Sequence, residues 1–159
     1  MDKSTLKRIF EFLHKKEGTL EWKFLLNEPL TEEDLNIEGD LDLSNTKITS
    51  LPEGLKGLHV GGDLNLFASA ITSLPENMYV GGNLNLNHTR IKLLPIGLKV
   101  IGNIYLKHCR NIVSLPKGLE VNGDIVIEWT NLTRYNDNKL REMVYPGYIK
   151  GEIDRKTLF

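Results

Sequence analysis

Cysteine occurs once in this 159-residue chain, at Cys109, so no disulfide framework holds the fold together and a cytoplasmic home is the default expectation. Long apolar runs are missing as well. None approaches the ~20 residues that cross a bilayer, so no membrane partner is expected. The opening stretch MDKSTLKRIFEFLHKK lacks an unbroken hydrophobic segment and a small-residue cleavage site, so no secretion signal is expected there. Nor is there an excess of either charge, because 20 Lys and Arg face 21 Asp and Glu. That balance argues against a nucleic-acid partner. What remains is an ordinary globular composition, 40% hydrophobic and 26% charged, at a length that suits one domain.

The chain does contain a period. Gly followed by Asp or Asn and an aliphatic-x-aliphatic triplet begins at Gly39, Gly62, Gly82, Gly102 and Gly123. Leu-Pro keeps step at Leu51-Pro52, Leu74-Pro75, Leu94-Pro95 and Leu115-Pro116. Spacing near twenty residues is the signature of a solenoid, in which one unit cannot bury its own apolar face and stacked units can.

Each column then has a task. Pairs such as Leu64/Leu66 have the period of two that turns both side chains to one face of a strand. Ile71 and Leu74 return inward after the strand. The equivalent sets are Leu41, Leu43, Ile48, Leu51; Leu84, Leu86, Ile91, Leu94; Ile104, Leu106, Ile112, Leu115; and Ile125, Ile127, Leu132. One strand per coil predicts a single parallel sheet. The glycine before each strand is read as a sharp turn or a close approach, with positive φ allowed. No helix follows these glycines, so they are not phosphate loops.

These columns resemble the leucine-rich repeat, L-x-x-L-x-L-x-x-N/C-x-L, from about Leu35 to Leu132. The Leu-Pro step is similar to the short bacterial type. The run from Leu115 to Ile127 resembles repeats found in bacteriophage and prophage proteins. Thr46, Ser69, Thr89, Cys109 and Thr130 stand where that family places Asn or Cys. The resemblance implies an α/β-repeat solenoid of about four to five parallel-sheet coils. Its core would be 35–132, between a helical N-terminal cap (1–34) and a short C-terminal cap and tail (133–159).

Caps are needed because an open stack exposes strand edges. Leu6, Ile9, Phe10 and Leu13 follow helical spacing over 4–15, with Ser4 or Thr5 as N-cap. The run TLEWKFLL from Thr19 fits helix or strand, and Thr31-Glu-Glu-Asp34 resembles a capping box. After Leu132 the repeat is expected to stop. Asn136 or Asp137 is placed to cap a helix through Tyr145, ended by Pro146-Gly147, with Leu158-Phe159 closing the tail.

No catalytic constellation emerges, so the chain is not expected to be an enzyme and no cofactor or metal is expected. Cys109 falls in an inward column and reads as a buried structural thiol. His88 and His108 share an outward column in adjacent coils, with no third ligand beside them. The recurring acids, such as Asp40 and Asp63, recur because the repeat does.

A solenoid offers a ladder of outward side chains. Here that ladder carries Phe67, Asn85, Asn87, His88, Tyr105, Lys107, His108 and Trp129, and continues to Val126 and Glu128. Exposed aromatics rimmed by polar groups have the composition of an interaction hot spot. The resulting expectation is a non-catalytic protein-binding module. The phage resemblance implies a cytoplasmic protein that binds and inhibits a host protein, one of its defences included. The alternative is a self-assembling scaffold, a homo-oligomer acting through its terminal segments.

Overall fold

The computed structural model describes residues 31, 36–51 and 57–155. The chain winds as a parallel-strand solenoid with two short strands in every turn. In chain order these are β1 (Asn36–Ile37) and β2 (Leu41–Asp42), β3 (His59–Val60) and β4 (Leu64–Asn65), β5 (Tyr79–Val80) and β6 (Leu84–Asn85). They continue with β7 (Lys99–Val100) and β8 (Ile104–Tyr105), β9 (Glu120–Val121) and β10 (Ile125–Val126), β11 (Tyr148–Ile149) and β12 (Ile153–Asp154). The odd strands form one six-stranded sheet and the even strands a second. Leu41, Leu64, Leu84, Ile104, Ile125 and Ile153 pair rung to rung in register. Residues one period apart do lie on top of one another.

Two strands per turn correct the expectation of one. The second sheet is built on its own inward pairs: Leu58/Val60, Met78/Val80, Leu98/Val100 and Leu119/Val121 are all fully or almost fully buried. They face the expected rungs Leu41/Leu43 through Ile125/Ile127, so the core is an aliphatic stack closed by strands on two sides. Burying one such side chain contributes roughly 1.5–3 kcal/mol, which is why the alternation survives in strands of only two residues.

A Gly-rich corner joins the two sheets in each turn, and of the two readings of this column, sharp turn or close approach, the second describes it, without the positive φ that glycine would allow. A Cβ on Gly102 would sit 2.6 Å from both Asn83 Oδ1 and the Gly82 carbonyl oxygen. The column is held by close approach of the preceding coil. Positive φ belongs instead to the turn after Leu-Pro, at Gly57, Gly97 and Gly118, with Asn77 in the same place.

The Asp or Asn after each glycine is an architectural part. Asp63 N–H donates to Asp40 Oδ1 (2.7 Å) and Asn83 N–H to Asp63 Oδ1 (2.6 Å). Asn103 N–H donates to Asn83 Oδ1 (2.9 Å), Asp124 N–H to Asn103 Oδ1 (2.7 Å), and Glu152 N–H to Asp124 Oδ1 (2.7 Å). Each side chain thus satisfies a backbone donor of the next coil at a corner the sheets cannot serve. Inside, Thr46, Thr89 and Thr130 hydroxyls donate to the carbonyls of Leu43, Leu86 and Ile127 at 2.7–2.8 Å, a second polar ladder.

The repeat continues past Leu132. A 3₁₀ turn (Asn131–Arg134) leads to helix α1 (Asp137–Val144), whose N-cap Asn136 accepts the Lys139 N–H at 2.8 Å. Then Tyr148–Ile149, Gly151 and Ile153–Asp154 form a last rung on both sheets. Arg141 and Arg155 seal its edge. The Arg141 guanidinium donates to the carbonyls of Ile149 and Gly151, and Arg155 donates to those of Ile153 and Tyr135. Capping edge carbonyls with charged side chains blocks strand addition. The expected N-terminal cap (4–15, 19–26 and all of 31–34 but Thr31) and the Leu158-Phe159 tail lie outside the described residues. Among the described residues, no helix is long and apolar enough to cross a membrane.

Candidate functional site

The even-numbered sheet ends, in each coil, at a residue with positive φ: Asn45, Ala68, His88, His108 and Trp129. Only the first is a residue that tolerates the left-handed region well, and for the others it costs roughly 1–2 kcal/mol each. The backbone requires this conformation. The N–H groups of Ala68, His88 and His108 donate to the carbonyls of Asn87, Lys107 and Glu128 at 2.8–3.0 Å, so the bend continues the interstrand ladder. What the backbone leaves unspecified is the side chain, which projects from the bend.

Three of the side chains at these positions, together with Phe67 just before Ala68, touch in series. The Phe67 ring meets His88 edge-on at 5.5 Å between centroids. His88 stacks on His108 at 4.4 Å with 23° between planes, and His108 stacks on Trp129 at 5.9 Å with 9°. Four rings thus form one column across four coils. Trp129 is 53% exposed and Phe67 37%. Aromatic pairs of this kind contribute about 0.5–1.5 kcal/mol each, which only offsets the left-handed backbone beneath them. The column is no large source of stability.

Of the eight residues singled out in the sequence, the structure brings Phe67, His88, His108 and Trp129 into this column. The other four stand beside it with their polar atoms engaged. Asn85 Oδ1 accepts the Asn87 N–H (3.1 Å), and Asn87 Oδ1 accepts the Lys107 N–H (2.7 Å). Tyr105 lies on β8, where its hydroxyl accepts from Asn103 Nδ2 (3.1 Å), away from the rings it was expected to join. Lys107 pairs with Glu128 at 2.7 Å. Glu128, read as an exposed rung, is in fact only 7% exposed, a correction its Lys107 partner explains.

Two further groups complete the electrostatics. Cys109 is buried; burial pushes its thiol up, against the opposing contact with Thr89, whose Oγ1 lies 3.4 Å from Sγ. Its Sγ donates to the Leu86 carbonyl, so it extends the inner Thr ladder. The Ser44 backbone N–H and hydroxyl hold the Asp42 carboxyl below its ordinary value. Among the described residues, no three His, Cys, Asp or Glu side chains are grouped to hold a metal ion.

Sequence reasoning missed the hollow at the end of the column, lined by Arg110, Trp129, Thr130, Asn131, Thr133 and Arg155. The residues that form it come from the last two full coils, the 3₁₀ turn and the last rung. Its one readable signal was Trp129 at a position that Asn45 fills in the first coil. No known protein family, curated protein or solved structure matches this chain.

Proposed function

We propose that the chain is a leucine-rich-repeat-like, non-catalytic protein-binding module whose contact face is the column Phe67–His88–His108–Trp129. One observation carries this reading: His88, His108 and Trp129 stand in register at positions where the coil needs only a backbone conformation, and Phe67, one residue before the equivalent Ala68, extends their ring contacts to a fourth coil. Rigid aromatic area presented at little entropic cost is what interaction hot spots use. The resemblance to phage and prophage repeats extends the reading to the partner: a host protein, a defence component included, bound and blocked in the cytoplasm. Assembly through the ends is the less favoured reading, because Arg141 and Arg155 occupy the edge carbonyls that a stacking neighbour would need.

The test replaces His88, His108 and Trp129 by Asn, which copies the first coil at Asn45, together with Phe67→Ser. The tagged wild-type chain captures a discrete host protein from bacterial lysate, and the variant, with nearly unchanged melting temperature, does not. Undiminished capture by the variant rejects the face.

A further inference from the structure

The side of the coil that follows the ring column has a composition unlike the rest. It is made of residues 45–51, 68–74, 88–94, 108–115 and 129–135. Together these hold five of the chain's 20 Lys and Arg and none of its 21 Asp and Glu. All five are exposed, and Arg134 lies over the Tyr135 ring, which leaves four others: Lys47, Arg90, Lys92 and Arg110. Elsewhere several cations are ion-paired: Lys99 with Glu120, Lys107 with Glu128, Lys139 with Glu142 and Arg155 with Asp137. Among the described residues none of the four is within ion-pairing distance of an acid. The nearest acids in sequence to the far end, Glu128 and Asp137, are already taken.

Placement makes this more than a local excess. Lys47, Arg90 and Arg110 each lie two residues beyond a left-handed bend, so they stand in one column flanking the rings. Backbone bonds from Ala70 N–H to the Thr46 carbonyl and from Thr72 N–H to that of Thr49 keep these coils stacked. Arg110 also lines the hollow beneath the exposed Trp129 indole. A row of unpaired cations therefore runs beside an aromatic row and ends in a concave site with two guanidinium groups and a ring.

We infer that this strip binds an acidic, extended segment of a protein partner, with carboxylates on Arg90 and Arg110 and an apolar side chain against Trp129. The inference rests on the protein-binding reading above and adds the chemistry of the partner. Charge complementarity supplies the argument. Coils repeat at ~4.8 Å and an extended chain at ~3.4 Å per residue, so carboxylates one or two residues apart come within reach of long cationic side chains on successive coils. Single-stranded nucleic acid is less well served, since it needs open ring faces for its bases. Here the histidine faces are turned against each other and against one side of Trp129, so a strand would find Trp129 alone to stack on rather than a series of rings.

Fluorescence anisotropy tests this with three labelled probes: a short peptide of alternating Glu and Ala, its Lys counterpart, and an oligothymidylate of equal charge. The Glu peptide binds, releases as salt rises, and loses about tenfold or more in affinity with Arg90→Glu and Arg110→Glu together. Both residues are exposed, so the double variant keeps its melting temperature. No binding of the Glu peptide, binding indifferent to the charge reversal, or tighter binding of the oligothymidylate overturns the inference. Lysate capture separates this failure from that of the broader reading. Capture that survives the charge reversal but is lost with the ring substitutions leaves a binding module and removes the acidic partner.

Discussion

Two columns of outward residues climb this solenoid, one residue per coil, and they behave in opposite ways. The first, Asp40, Asp63, Asn83, Asn103 and Asp124, admits only Asp or Asn, and every member spends its Oδ1 on a backbone N–H of the next coil. The second, Asn45, Ala68, His88, His108 and Trp129, shares a backbone conformation and almost nothing else. Outward position therefore does not mark function in a repeat. A column whose polar atoms are consumed by its neighbours is structure, however polar it looks. A column whose side chains vary and remain exposed is surface available for binding.

The largest expected effect comes from breaking the corner that the first column occupies. In Gly102→Ala the new Cβ would fall 2.6–2.7 Å from the Gly82 carbonyl group and 2.6 Å from Asn83 Oδ1. Backbone cannot rotate away, so urea unfolding should show a loss of about 2–4 kcal/mol. Gly118→Ala sharpens the contrast. That glycine has φ +76° but nothing within 4 Å of a Cβ, so only the conformational cost of about 1 kcal/mol is expected. Equal losses at the two positions would mean that the corner is not a steric constraint.

Next comes the side chain itself. Asn83→Ala removes the acceptor of the Asn103 N–H (2.9 Å) and the Nδ2 donor to Asp63 (3.2 Å). A backbone donor left without its partner costs about 1–2 kcal/mol. His88→Asn, in the second column, is expected to leave unfolding nearly unchanged. It relieves a left-handed histidine, worth roughly 1 kcal/mol, and loses ring contacts with Phe67 and His108 of about the same total size. A loss above about 1.5 kcal/mol would show the rings to be structural after all.

The same contrast explains how much could be read before the structure was known. The period, the inward aliphatics from Leu41 to Leu132 and the exposure of Phe67 and Trp129 follow from spacing and hydrophobicity, which sequence records directly. The second sheet did not stand out, because Leu58-x-Val60 and its equivalents are two-residue strands merged with the Leu-Pro turn. The last rung was hidden because Tyr148-Ile149-x-Gly151-x-Ile153 has no leucine and follows a helical insertion. Gly102 reads alike whether it serves positive φ or close approach. The left-handed bends at His88, His108 and Trp129 were illegible, since those residues do not favour that conformation and only Asn45 announces it. The ring column was thus visible as composition, while its continuity and the exclusion of Tyr105 depended on where the bends point the side chains.

The smallest effect is expected inside, where the Thr ladder has a gap. Ser69 is 3% exposed and its Oγ has no hydrogen-bond partner, whereas Thr46 and Thr89 in the adjoining coils each donate to the carbonyl three residues back. A buried hydroxyl without a partner opposes folding through its lost hydration. Ser69→Ala is therefore expected to raise stability by a few tenths of a kcal/mol, while Thr89→Ala lowers it by about 1 kcal/mol because its bond to Leu86 O (2.7 Å) is lost. Thermal melts of the two variants decide the matter. A Ser69→Ala loss as large as that of Thr89→Ala would mean that Ser69 in solution completes the inner ladder, and that the polar column is continuous from Thr46 to Thr130.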